Sequence, residues 1–238
     1  MPMLTGRRHE PELMDDPAVD RGGLDASLRF IRAVNRRLGG TRAALGHLKR
    51  WLAGRPPGEV VRIVDLGTGS ADIPLAIVRW ARDRGRRVRV TAIDAHRTTL
   101  ELAREHVGGD PDIELVRADA RRLMDRFRPG EFDYAHAGMF LHHLDDIEVM
   151  TVLRVMDRLT TRGLIWNDLL RGPVEAVGVR LLTLGAPAMA RHDGIVSVAA
   201  GFKRHEALDL ARRVGLPNVR YRRHLFGRFT LVSTKGGG

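Results

Sequence analysis

Side chains able to do chemistry recur at intervals along this chain. Asp65 opens the stretch DLGTGSADIP (65–74), in which Gly67, Thr68 and Gly69 make a glycine-rich turn between two apolar runs. Asp94 stands in TAIDAH and Asp119 in VRADARRL. His142 and His143 sit in FLHHLDD (140–146), and His192 in ARHDGIVSV. Carboxylates accept hydrogen bonds from a ligand's ammonium, hydroxyl or amino groups. An imidazole with an ordinary pKa near 6.5 takes or gives a proton near neutral pH.

The glycine-rich turn narrows the ligand. A dinucleotide site requires G-x-G-x-x-G. Gly67 and Gly69 fit, but Asp72 occupies the third position, and a carboxylate at a helix N-terminus repels the pyrophosphate that belongs there. A phosphate-binding P-loop fails too, because no Gly-Lys-Ser/Thr follows. The loop therefore suits a ligand without phosphate at this point. S-adenosylmethionine meets that condition. Gly67 and Gly69 admit close backbone approach, and Asp65 serves the ammonium directly or through water. Asp94 accepts the ribose hydroxyls, as the acidic residue after the second strand does in related sites. Asp119 accepts from the adenine amino group, while Ala95 and His96 cover one adenine face. Thr68, Ala120 and His136 complete the expected cofactor set.

The elements that must position these residues alternate. From residue 59, EVVRIVDL, RRVRVTAID, IELVRAD, EFDYAHAGM and RGLIWNDLL read as strands, with helical stretches between them. Mostly apolar strands alternating with helices indicate an α/β, Rossmann-like doubly wound sheet. Ligands bind such a sheet at the strands' carboxyl ends, where Asp65, Asp94 and Asp119 all fall. NVRYRRHLF and RFTLVSTK, linked at Gly227, read as a closing antiparallel hairpin. Residues 24–53 read as two helices broken at Gly39-Gly40, with Leu28, Ile31, Val34 and Leu38 on one face and Arg29, Arg32, Arg36 and Arg37 on the other. GRPPG (54–58) reads as a linker. The expected division is an N-terminal helical extension over 1–54, on the acceptor side, and a ligand-binding domain over 55–238 with an insert at about 173–200.

Composition limits the alternatives. The 238 residues carry a net charge of +11 and contain no cysteine, which excludes a disulfide framework, a thiolate metal site and a cysteine nucleophile. The basic residues are almost all arginine, with lysine only at 49, 203 and 235. They are scattered, and scattered charge reads as a solvated face rather than a nucleic-acid footprint. The opening MPMLTGRRHEPELMDDP has no apolar core of a signal peptide, and 173–190 is too interrupted by charge, glycine and proline to span a bilayer. A cytoplasmic protein is the expectation.

VDLGTGSADIP, TAIDAH, VRADARRL and FDYAHAGMFLHHLDD resemble the successive motifs of class I S-adenosylmethionine-dependent methyltransferases. The resemblance covers about residues 59–170 well and the 201–235 helix and hairpin acceptably. It implies a seven-stranded sheet with the last strand antiparallel. Ala71 departs from it, standing where many members have a third glycine. Methyltransferases acting on nucleic-acid amino groups carry Asn/Asp-Pro-Pro-aromatic after strand four; HAGMFLHH stands here instead, so a small-molecule acceptor is expected and nucleic acid is not. FLHHLDD is similar to the segment of phenolic O-methyltransferases that carries a general-base histidine, and His142 is the matching position. A phenol of pKa about 10 is mostly protonated near neutral pH, so O-methylation needs such a base. His143 and His192 are the further candidates. Asp145, with Glu148 three residues on, reads as a capping box. Met139, Arg171 and Met189 are the expected acceptor-side residues, Arg171 facing a substrate anion or solvent. No metal is expected. The chain as a whole resembles bacterial methyltransferases that act on polyketide-type or phenolic acceptors. C-methylation of a quinol or lipid-like acceptor at a membrane surface, and S-adenosylmethionine binding without transfer, remain alternatives; a monomer or homodimer is expected.

Overall fold

The computed structural model describes residues 7–56 and 58–236. The first six residues of the N-terminal segment, expected to lack a signal peptide, lie outside the described residues. Seven strands form one sheet: β1 (Val60–Leu66), β2 (Arg87–Asp94), β3 (Ile113–Arg117), β4 (Phe132–Gly138), β5 (Thr160–Leu169), β6 (Arg220–His224) and β7 (Arg228–Thr234). Their order is β3-β2-β1-β4-β5-β7-β6. The first five run parallel, and β7 lies antiparallel to both β5 and β6. The expected Rossmann-like sheet and closing hairpin are both present. The order reverses at β1, so the carboxyl ends of β1, β2 and β4 border one crevice, where an open α/β sheet takes its ligand.

Helices cover both faces. α1 (Arg21–Arg37) and α2 (Gly40–Ala53) precede the sheet; α3 (Asp72–Arg82), α4 (Arg97–Val107) and α5 (Asp146–Leu159) connect its strands; α6 (Pro173–Leu182), α7 (Ala188–Ala200) and α8 (Arg204–Val214) come after β5. Apolar residues at helical spacing decide which face each one buries. Ile73, Ile77, Val78 and Ala81 of α3 pack with Leu48 and Leu52 of α2 against Ile63, Val90 and Ile165. On the other face, Val149, Val152, Leu153 and Met156 of α5 and Leu210 of α8 pack against Val64, Leu66, Ala137 and Trp166. Helix α2 thus belongs to the sheet's own core, and its packing is continuous with that of the strands and helices beyond residue 54. Trp166, Phe202 and Phe229 meet edge to face at 4.7–6.1 Å, an arrangement that adds about 0.5–1.5 kcal/mol per pair beyond area burial.

The insert resolves into two helices. α7 buries Ala190, Val196 and Val198. α6 buries nothing, and its Val174, Val177 and Leu181 are exposed. At the hairpin tip Leu225 and Phe226 are exposed as well.

Candidate active site

The turn after β1 is the first part of the site. Gly67, Gly69 and Ala71 all take positive φ, at 63°, 54° and 55°. A Cβ on Gly67 would lie 2.3 Å from the Phe140 ring, so only glycine fits there. Ala71, at the N-cap of α3, holds a left-handed conformation that costs an L-residue about 1 kcal/mol or more. Asp65 is buried at the strand's end; its carboxylate accepts from Thr68 Oγ1 at 2.6 Å and pairs with His136 Nδ1 at 2.6 Å. The Nε2 of His136 is buried without a partner. Asp65, Thr68 and His136, expected as cofactor residues, are therefore in direct contact.

Asp94 ends β2. One carboxylate oxygen accepts from the Gly69 amide at 2.9 Å and the other from the His96 amide at 2.9 Å. Burial pushes its pKa upward, against these two backbone hydrogen bonds. The carboxylate so ties the second strand end to the glycine turn and keeps further lone pairs unused. His96 caps α4, its Nδ1 accepting from the Thr99 amide, and its Nε2 donates to the Asp16 carbonyl at 3.1 Å. The imidazole is committed to this cap and to the N-terminal segment, and the Ala95 carbonyl accepts from Arg117. Asp119 caps the turn that Ala120 begins and pairs with Arg121, which also reaches Glu148. That bond to Arg121 holds the Asp119 carboxyl below the usual range.

The second part gathers around the Leu141–His143 turn. His142 is 1 % exposed. Its Nδ1 lies 2.6 Å from Asp168 Oδ1, and its Nε2 lies 3.5 Å from Glu12 Oε1 with no hydrogen-bond partner. His143 lies tilted against it at 4.4 Å between centroids and pairs through Nδ1 with Asp15 at 2.8 Å. Burial works against the imidazolium of His142, but Asp168 and then Glu12 outweigh it and hold the pKa up to about 10. Glu12 is fixed by Ser197 Oγ at 2.6 Å, and its acidity is strengthened, against burial, by His143 and His142. Glu12, His142 and His143 also present ligand atoms within 4.8 Å of one another, a grouping of metal-ligand type that the expectation of no metal did not foresee.

Residues 7–16 reach this cluster as a strap across the sheet's carboxyl end. The Leu13 and Met14 amides donate to Asp193. The Arg7 guanidinium donates to the Leu144 carbonyl at 2.7 Å, pairs with Asp146 and lies over the Phe202 ring at 3.9 Å. Asp145 caps α5, and its capping box with Glu148 is present as expected.

A cavity of about 1250 Å³ adjoins the cluster. Its walls come from α1, α2, α6, α7 and the β6–β7 hairpin, and include Phe30, Ile31, Val34, Val179 and Leu182. The apolar stripe of α1 thus divides: Leu28 enters the core, whereas Ile31, Val34 and Leu38 face the cavity. Met139, at φ 55°, lines it, and the neighbouring Phe140 lies against Gly67. Glu12 lines this cavity and also the smaller one beside His142 and His143.

Three expectations change. Arg171 faces neither a substrate anion nor solvent: it is buried, donating to the Gly201 carbonyl and pairing with Glu206 at 2.6 Å, because the chain returning from α7 covers the end of β5. His192 is exposed, pairs with its neighbour Asp193 and lines neither cavity. Met189 packs towards Gly23 of α1 rather than lining the cavity. Glu12, Asp15 and Asp168 were missed. Asp168 carried a signal, as a carboxylate next to Asn167 inside the mostly apolar stretch LIWNDLL. Glu12 and Asp15 carried none that pointed to a histidine pair more than a hundred residues away.

Residues 63–163 match the family model of a methyltransferase domain, and the seven-stranded sheet has the Rossmann-like order. It is 28% identical over 171 residues to a ribosomal protein L11 methyltransferase of Pelobacter propionicus, covering 69% of this chain and 50% of that protein. The chain thus spans about half the length of that curated relative. Among solved structures, the magnesium protoporphyrin IX methyltransferase of Synechocystis, with bound S-adenosylhomocysteine, is similar at TM-score 0.56 and 13% identity, with 84% and 85% of the two chains covered. The CurJ carbon methyltransferase is similar at TM-score 0.62 and 11% identity, with 80% and 52% covered. Among the described residues no helix is long and apolar enough to cross a membrane.

Proposed function

We propose that this protein transfers a methyl group from S-adenosylmethionine to a small molecule held in the 1250 Å³ cavity, and that the acceptor atom is a phenol-like hydroxyl oxygen. One observation carries the reading: Met139 and Phe140, adjacent in sequence, touch the cavity and the glycine turn respectively. A two-residue link therefore separates an apolar acceptor space from the turn that would hold the cofactor. The residues there fit that cofactor. Gly69 has nothing nearer to a would-be Cβ than 3.9 Å, His136 keeps an unpartnered Nε2, and Asp94 retains lone pairs. S-adenosylmethionine, when bound, supplies an activated methyl group for in-line displacement.

The chain's own residues manage the acceptor and its proton. The apolar walls align the acceptor, and alignment supplies much of the rate in a displacement of this kind. Glu12 faces the acceptor space and links it to His142, whose basicity Asp168 raises. The hydroxyl proton moves into this Glu12–His142–Asp168 relay. Because His142 holds its own proton up to about pH 10, the relay accepts another only as that proton leaves, and the rate rises with pH into the alkaline range. The exposed Val174 of α6 and Leu225 and Phe226 of the hairpin tip line the same cavity, which favours an acceptor with an extended apolar portion.

The test is a pH–rate profile with labelled S-adenosylmethionine and a panel of alkyl-substituted phenols, for the wild type and His142→Gln. Turnover that climbs towards pH 10 in the wild type and is lost in the variant, with S-adenosylhomocysteine binding retained, supports the relay. An unaltered rate and profile removes His142 from it. Binding of S-adenosylhomocysteine with no turnover of phenols, quinols or lipids favours a binding protein instead.

A further inference from the structure

Four arginines have side chains that are almost fully buried, and three of them are neutralised. Arg7 pairs with Asp146, Arg55 with Glu59 and Asp133, and Arg171 with Glu206. Arg228, at the start of β7, is the exception among the described residues. It is 3 % exposed, has no carboxylate within 4.0 Å, and makes one hydrogen bond, from Nη2 to the neutral Asn35 Oδ1 at 3.0 Å. Its Nη1 has no partner. A buried charge is retained only when it is paired, since removing an unpaired ion from water costs several kcal/mol. Burial accordingly lowers the Arg228 pKa, with Asp168 and Asp72 opposing from a distance.

The guanidinium is held in place rather than stranded. Asn35 is itself anchored, donating from Nδ2 to Asp72 Oδ2 at 3.1 Å. At Gly40 a Cβ would fall 2.6 Å from Asn35 Oδ1 and 3.1 Å from Arg228 Nη1. The glycine that begins α2 therefore lets the backbone approach this group. Arg228 also lines the large cavity, whose surface is mainly apolar, whose other arginines (Arg37, Arg42, Arg50, Arg222 and Arg223) are exposed, and whose carboxylates are Glu12, Glu175 and Asp193. A fork of N–H donors with one nitrogen unpartnered and closed off from solvent, on a residue that borders the cavity, is matched by a planar oxyanion.

We propose that Arg228 binds a ligand carboxylate inside this cavity. The carboxylate belongs either to an apolar acceptor or to the amino-acid end of the cofactor. The second source rests on the methyl-transfer reading; the first does not.

Calorimetry on the full chain tests this with four probes: laurate and dodecanol, which differ in charge on the same apolar chain, and S-adenosylhomocysteine and its decarboxylated analogue. The wild type should discriminate within one pair, and Arg228→Met should erase that discrimination. The loss should be at least about tenfold, as expected for a charge-assisted hydrogen bond. A loss confined to laurate identifies the acceptor's carboxylate; a loss confined to S-adenosylhomocysteine identifies the cofactor's. Melting should show Arg228→Met no less stable than the wild type, because it removes an unpaired buried charge. Arg228→Lys, which keeps the charge but not the fork, should fall between the two. A wild type that discriminates within neither pair overturns the proposal without any variant, and so does a folded Arg228→Met that binds all four probes as the wild type does. Failure of S-adenosylhomocysteine to bind the wild type at all would count against methyl transfer and leave the laurate arm to decide this site.

Discussion

Alkaline pH should unlock the contact between β5 and the Leu141–His143 turn. His142 is buried between Asp168 and Glu12 and keeps its proton up to about pH 10, whereas an unfolded chain releases it near 6.5. A folded-state pKa raised in this way adds stability that is fully present below pH 6.5 and is lost as pH climbs through 10. The difference converts to roughly 5 kcal/mol at most, comparable to the ~3–5 kcal/mol lost when one partner of a buried ion pair is removed. For a domain of ordinary stability this is a large fraction of the total. The assay is urea unfolding at fixed temperature between about pH 6 and 10.5, a window that brackets both pKa values, for the wild type, Asp168→Asn and His142→Gln. The wild type should lose several kcal/mol across that window. Asp168→Asn should begin lower at neutral pH, by about 3–5 kcal/mol, and decline less steeply, since the amide keeps the shape but not the charge. His142→Gln should lack the His142 part of the slope, leaving only the contribution of other groups. Three parallel pH profiles would refute the reasoning, because they would mean that His142 carries no excess proton in the folded state.

The same geometry has other measurable consequences. Asp94→Ala should weaken S-adenosylhomocysteine binding by about 2–3 kcal/mol in calorimetry, through lost hydrogen bonds to a charged group and release of the Gly69 and His96 amides. Gly67→Ala should reduce that binding and lower the melting temperature together, since its Cβ would overlap the Phe140 ring in a turn at positive φ. Trp166→Ala should cost about 3–5 kcal/mol in denaturant unfolding, by emptying the space between Phe202 and Phe229. Asp145→Ala should cost about 1 kcal/mol in the same measurement by removing the α5 cap.

Much of this protein is legible in one dimension. Alternating apolar runs of strand and helix length place Asp65, Asp94 and Asp119 at successive strand ends, and Gly67 and Gly69 announce a turn that must pass close to something. These signals are local: apolar periodicity and positive φ act over a few residues, so they survive in a sequence read without its fold. The capping box at Asp145 is legible for the same reason. The partner that each aspartate bonds is not. Asp65 spends its carboxylate on Thr68 and His136, and Asp119 on Arg121.

Only the tertiary structure decided the rest. It brought Glu12 and Asp15 across more than a hundred residues to the His142–His143 pair, turned Arg171 inward to Glu206 and left His192 at the surface. It also buried Arg228 without a carboxylate while giving one to each of the other buried arginines. The physical reason is the range of the interaction. A charged side chain is drawn to whichever opposite charge the packed core holds nearby, and that neighbour is chosen by how helices and strands close over one another, which no local pattern of residue types encodes.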